Sequence, residues 1–130
     1  MPLLTDYVPI AAESGGSPAV RQNAAVLIDD YRRYITAAND RQWDLLGDHV
    51  ADHVQVNGQL IDRAAYVDDL RRLIEAHPQH RWEIADLLTV GNRIAVRLTT
   101  YQPGAQGFEL AHYTWRDGRI FEVWTVGTSA

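Results

Sequence analysis

The apolar residues of this chain change their period once, and that change limits what it can fold into. Up to Ile74 they recur mostly at helical spacing, whereas beyond His80 they alternate with polar residues at a period of two. Helices followed by strands imply an α+β domain, with helices segregated to one face of an antiparallel sheet. Ser17 before Pro18 reads as a capped helix start, and Val20, Leu27, Tyr31, Tyr34 and Ala38, with Ile28 and Ile35, mark one face to about Ala38. Asn39 and Asp40 interrupt it. Trp43, Leu46 and Val50 predict a short second helix ending near Ala51. Asn57-Gly58 between two short apolar runs predicts a hairpin over Val54 to Ile61. Asp62 caps a third helix, whose face is Tyr66, Leu70, Leu73 and Ile74 and which Pro78 stops. Four runs of strand length follow: Arg81 to Val90, Arg93 to Gln102, Phe108 to Arg116 and Arg119 to Gly127. Their short connections favour antiparallel neighbours. A sheet bent around helices leaves a cone-shaped cavity.

Composition narrows the chemistry. The 130 residues suit one domain, expected over residues 18–130 behind an irregular extension over residues 1–17. All twelve basic residues are Arg, so Schiff-base, pyridoxal-phosphate and P-loop mechanisms that require Lys are excluded. The absence of Cys removes disulfides, thiolate metal sites and cysteine nucleophiles, and a reducing cytoplasm is the default expectation. Serines stand only at positions 14, 17 and 129, which excludes a serine triad. A net charge of -5 has the wrong sign for a nucleic-acid binder, and no apolar run has bilayer length.

The order helix, helix, hairpin, helix and four long strands resembles the nuclear transport factor 2-like superfamily, particularly its SnoaL-like polyketide cyclase branch. The segments that carry the resemblance are Tyr31 to Asp40, Ala51 to Val54, Asp86 to Arg97 and, most specifically, Trp115-Arg116-Asp117-Gly118-Arg119-Ile120-Phe121-Glu122-Val123-Trp124. The resemblance covers residues from about 20 to 127. It implies three helices on a curved, mainly antiparallel sheet, a pocket for a small hydrophobic or aromatic ligand, no cofactor, and a homodimer through the outer sheet face. For activity it implies a cyclase, isomerase or lyase, or a pocket that only binds. The family's proton-transferring groups are replaced. Thr125 and Val123 stand at the acid-base positions of the last strand in the cyclases. Ketosteroid isomerases resemble this chain at Tyr34, but Gly58 or Asn57 stands at their base and Ala111 at their protonated Asp. Thr100, Leu98 and Thr125 stand where limonene-epoxide-hydrolase-like members carry Asp, Arg and Asp.

Two residues remain as candidates for catalysis. Tyr34 points from the first helix toward the expected cavity, either as a hydrogen-bond donor to a carbonyl or as a core tyrosine. Glu109 shares strand parity with Ala111, Tyr113 and Trp115, either as a desolvated general base or as a solvated strand-end carboxylate. Trp82, Asn57, His53, Tyr113, Trp115, Val123 and Thr125 are candidate ligand contacts, although Asn57 also suits its turn. His49 and His53 are four apart, but the helix is expected to end between them and no third metal ligand is signalled. His77 and His80 are expected to face solvent. Arg97, Thr99, Tyr101 and His112 fall on the outer sheet face, where the resemblance places the dimer contact.

Overall fold

The computed structural model describes residues 18–128, so the expected extension over residues 1–17, with Ser17, lies outside the described residues. Three helices, α1 (Pro18–Asn39), α2 (Trp43–Gly47) and α3 (Arg63–Ala76), accompany six strands. The strands are β1 (Val50–Val56), β2 (Gln59–Asp62), β3 (Arg81–Val90), β4 (Arg93–Gln102), β5 (Ala105–Arg116) and β6 (Arg119–Thr128). They form one sheet in the order β2-β1-β6-β5-β4-β3. Every neighbouring pair is antiparallel except β1 with β6, which is parallel.

The local signals set most boundaries. Asn57 and Gly58 both take positive φ, 51° and 86°, as a two-residue turn matched to strand twist requires. The Asp62 side chain accepts from the Ala65 N–H at 2.8 Å and caps α3. Tertiary pairing moves three expectations. Helix α2 stops at Gly47 instead of near Ala51, because Val50 enters the parallel ladder opposite Ile120 and both are fully buried. The Ile120 N–H donates to the His49 carbonyl at 2.8 Å at the start of that ladder. Strand β5 begins at Ala105 rather than Phe108, since Gln102 pairs with Ala105 across a tight Pro103-Gly104 turn. Glu109 therefore lies well inside a strand, not at its end.

His80 is the third correction. It is 6% exposed, whereas the sequence placed it in solvent. Arg41 accounts for this: its guanidinium donates to the carbonyls of Ala38, Pro78 and His80 at 3.0, 2.9 and 2.6 Å, and binds the connection before β3 to the end of α1. His77 remains exposed.

Register shifts at Ala85 of β3, between Ile84 and Asp86, and at Phe121 of β6, opposite the Thr114–Trp115 step of β5, interrupt the ladders. Such bulges bend strands, here into an open, curved sheet. Its concave face meets Leu27, Tyr31, Tyr34, Ile35 and Ala38 of α1, all buried. Tyr31 packs against Tyr113 and Tyr34 with ring centroids 4.9 and 5.9 Å apart, and Trp115 stands edge-on to both helix tyrosines at 6.5 Å. Among the described residues no helix is long and apolar enough to cross a membrane.

Candidate active site

Cross-strand register fixes what reaches the interior. Along one inward row Leu98 faces Glu109 and Glu109 faces Gly127; along the next, Val96, Ala111 and Thr125 align. A further row aligns Ile94, Tyr113 and Val123. Opposite them, α1 presents Tyr34 and α3 presents Tyr66. The result is a cavity of about 210 Å³ lined by Tyr34, Tyr66, Trp82, Glu109, Tyr113, Val123 and Thr125, with aliphatic side chains from both walls. Asp69 also lines it, and Arg72 donates to its carboxylate at 3.3 Å.

The Tyr34 and Tyr66 hydroxyls are 2.6 Å apart and buried. Burial pushes the pKa of both phenols upward, so they remain protonated and act as hydrogen-bond donors. If Tyr66 donates to the Tyr34 oxygen, the Tyr34 proton is left for a ligand. Burial also raises the Glu109 pKa, and a hydrogen bond from Trp82 opposes part of that rise. Glu109 makes no ion pair among the described residues. A carboxyl kept from water without a cationic partner is a stronger base, once ionised, than one on the surface.

Trp82 is itself held firmly. The Asn39 side chain accepts from the Trp82 N–H at 2.9 Å and donates to the Trp82 carbonyl at 2.8 Å, so the end of α1 anchors the start of β3. Gly127 lets β6 approach closely, since a Cβ there would lie 2.8 Å from the Phe108 carbonyl oxygen and 3.3 Å from the Glu109 Cα.

Six of the sequence candidates, Tyr34, Glu109, Trp82, Tyr113, Val123 and Thr125, line this cavity. Three do not. Trp115 is buried behind Tyr34 and Tyr31 as a supporting layer. Asn57 is exposed at the turn, where its backbone N–H donates to the Val123 carbonyl at 2.9 Å and its Oδ1 accepts from the Thr125 N–H at 2.8 Å. These bonds fasten the hairpin to β6. His53 is exposed on β1, and His49 precedes that strand with its ring 6.2 Å from Trp115, so the two share no helix. Tyr66, Asp69 and Asn39 escaped the sequence reading: a tyrosine at helical period looks like core, and partners distant in sequence leave no local signal.

The family model of the SnoaL-like domain matches residues 31–123. The chain belongs to the SnoaL-like family. The structure is similar to that of a SnoaL-like polyketide cyclase from Agrobacterium tumefaciens, at 27% identity and TM-score 0.73 over 79% of this chain and 91% of that one. A protein from Kribbella flavida assigned to the ketosteroid isomerases shares the fold at 20% identity and TM-score 0.68, covering 82% and 80% of the two chains. IdmH from Streptomyces antibioticus, assigned to the polyketide cyclases, does so at 18% identity and TM-score 0.70, covering 78% and 91%. No curated protein matches the sequence. With the helix-on-curved-sheet architecture, these likenesses identify the α+β fold as nuclear transport factor 2-like. Against the SnoaL-like pattern described above, Thr125 and Val123 line the cavity without an ionisable side chain between them.

Proposed function

We propose that this SnoaL-like protein is a cofactor-independent enzyme that moves a proton beside a carbonyl, as in cyclisation or isomerisation. The observation that carries this reading is one cavity lined by both Tyr34 and Glu109. In the proposed step the ionised Glu109 carboxylate takes a proton from the carbon next to the carbonyl, and the electron pair moves onto the carbonyl oxygen. Tyr34 donates a hydrogen bond to that oxygen, and Tyr66 donates to Tyr34, so donors are already aimed where charge develops. The protonated Glu109 then returns a proton to carbon. The mostly apolar lining suits an aromatic or alicyclic substrate.

The test is deuterium incorporation into β-tetralone in heavy water, followed by proton NMR. The wild-type protein is expected to accelerate exchange above the buffer rate, and Glu109→Gln to remove about a hundredfold of that acceleration. A second reading, a pocket that binds such molecules without chemistry, is favoured by the non-ionisable Val123 and Thr125 lining the cavity. It predicts binding of β-tetralone with exchange at the buffer rate in both proteins.

We also propose that the outer sheet face joins two copies of the chain. Asp86, Arg97, Leu110 and Val126 form one cross-strand row, while Leu88, Ala95, His112 and Trp124 form the next. Together they line a concavity of about 600 Å³ on which Leu110, Trp124 and Val126 are 44%, 46% and 65% exposed. A patch with both charges around an apolar centre suits a twofold self-contact. Light scattering should give twice the chain mass, falling to one chain mass in Trp124→Glu; a wild-type monomer at high concentration contradicts the dimer.

A further inference from the structure

Strand β3 is an edge strand, paired among the described residues only with β4. At such an edge every second residue turns its N–H and C=O away from the sheet, where nothing in the ladder meets them. At Trp82 both groups are taken by one side chain: Asn39, the last residue of α1, accepts from the N–H at 2.9 Å and donates to the C=O at 2.8 Å. Asn39 thus closes the edge as a neighbouring strand would, at one residue only. We propose that Trp82 is a positioning residue for Glu109: its indole N–H holds one oxygen of the carboxylate and leaves the other to meet the ligand, and Asn39 sets where that donor stands. The inference rests on Glu109 being the base of the inner cavity.

Cross-strand register brings the two side chains together. Trp82, Thr100 and Gly107 form one inward row, next to the row in which Ile84, Leu98 and Glu109 align. Gly107 brings no side chain to its row, so β5 leaves the space beside the carboxylate open to an indole from two strands away. Both side chains line the inner cavity, and Trp82 is buried with the His80 ring edge-on against it, centroids 4.5 Å apart. A glutamate side chain turns about three torsions, and a small misplacement of a reacting group costs much of its rate. A fixed donor removes that freedom. Helix α1 then sets both halves of the site, carrying Tyr34 directly and placing the partner of Glu109 through Asn39.

The same contact sets how far burial can hold the carboxyl in its neutral form. Desolvation favours that form, and the hydrogen bond from Trp82 favours the ionised one. The other titratable groups that line the volumes onto which Glu109 opens are Tyr34 of α1, Tyr66 and Asp69 of α3, Tyr113 of β5, and His77 and His80 before β3. Among the described residues Trp82 is the one whose side chain donates to this carboxylate.

Trp82→Phe in the full chain keeps a ring in place and removes the donor. In β-tetralone exchange it is expected to lower kcat about tenfold with KM nearly unchanged, also at pH values where Glu109 is ionised. Carboxyl-carbon NMR of the same variant is expected to show the Glu109 midpoint moved further up from its wild-type position, because the ionised form has lost its donor. A merely structural role would move neither the midpoint nor kcat alone. Asn39→Ala, which frees the Trp82 backbone, is expected to move both readings in the same direction by less, and it decides the matter where Trp82→Phe does not fold. An unchanged kcat, or a Glu109 midpoint that stays or falls, overturns the positioning role while leaving Glu109 as the base. Exchange at the buffer rate in the wild-type protein overturns the enzyme reading and the positioning role with it.

Discussion

Two glutamates on adjacent strands show how far the two faces of this sheet differ. Glu109 on β5 points into the concave face, where desolvation raises its pKa. Glu122 on β6 lies on the other side, where its carboxylate accepts from Trp124 Nε1 at 3.0 Å and from the Thr114 hydroxyl at 3.2 Å. The Trp124 hydrogen bond, followed by that of Thr114 and the charges of Arg93 and His112, lowers its pKa despite slight desolvation. One residue type is thus held toward its neutral form on one face and its charged form on the other. The difference comes from water and donors, not from the side chain.

The strongest way to break this contrast is to remove each carboxylate in turn. Glu109→Gln should cost about a hundredfold in β-tetralone exchange, whereas Glu122→Gln should leave the rate unchanged. Equal losses would mean that neither face is special. On the helix wall, Tyr34→Phe should cost about a hundredfold, since it removes the donor to the oxyanion. Tyr66→Phe should cost only about fivefold, because it removes a single supporting hydrogen bond worth roughly 1 kcal/mol. A larger loss for Tyr66→Phe would exchange the roles of the two phenols.

Packing around Glu109 gives a smaller effect. Gly127→Ala places a methyl 2.8 Å from the Phe108 carbonyl oxygen and should lower stability by about 1 to 3 kcal/mol in denaturant titration. Unchanged stability would show that β5 and β6 separate there at little cost. The smallest effects have opposite signs. Glu109 titrates in the folded state above its unfolded value, so its contribution to stability is complete below about pH 4 and is lost as pH rises through the folded midpoint. Glu109→Gln should therefore melt above wild type at neutral pH, with the gap closing in acid. Glu122 titrates below its unfolded value, so its contribution is present at neutral pH and lost as pH falls. Glu122→Gln should melt slightly below wild type at neutral pH and match it in acid.

The inward and outward sets of β4 and β5 were legible in the sequence because strand alternation follows directly from backbone geometry. Leu98, Ala111 and Tyr113 are buried, whereas Arg97 and Leu110 are exposed, as their parity requires. The capped α3 and the Asn57-Gly58 turn were legible for similar local reasons. What could not be read depends on partners far along the chain. His80 is buried through Arg41, which is 39 positions earlier, and Tyr34 meets Tyr66 across 32 positions. Helix α2 ends early because β6, the last strand, pairs with β1. Trp115 was a candidate by strand parity and His53 by its place beside the first strand, yet His53 faces solvent and Trp115 supports the cavity from behind.

The central claim is that the concave face makes Glu109 a base of raised pKa. It is tested most directly by NMR titration of the glutamate side-chain carboxyl carbons, assigned with Glu109→Gln and Glu122→Gln. The account predicts that Glu109 titrates above the ordinary value of about 4.3 and Glu122 below it in the same sample. A Glu109 midpoint at or below the ordinary value would contradict it.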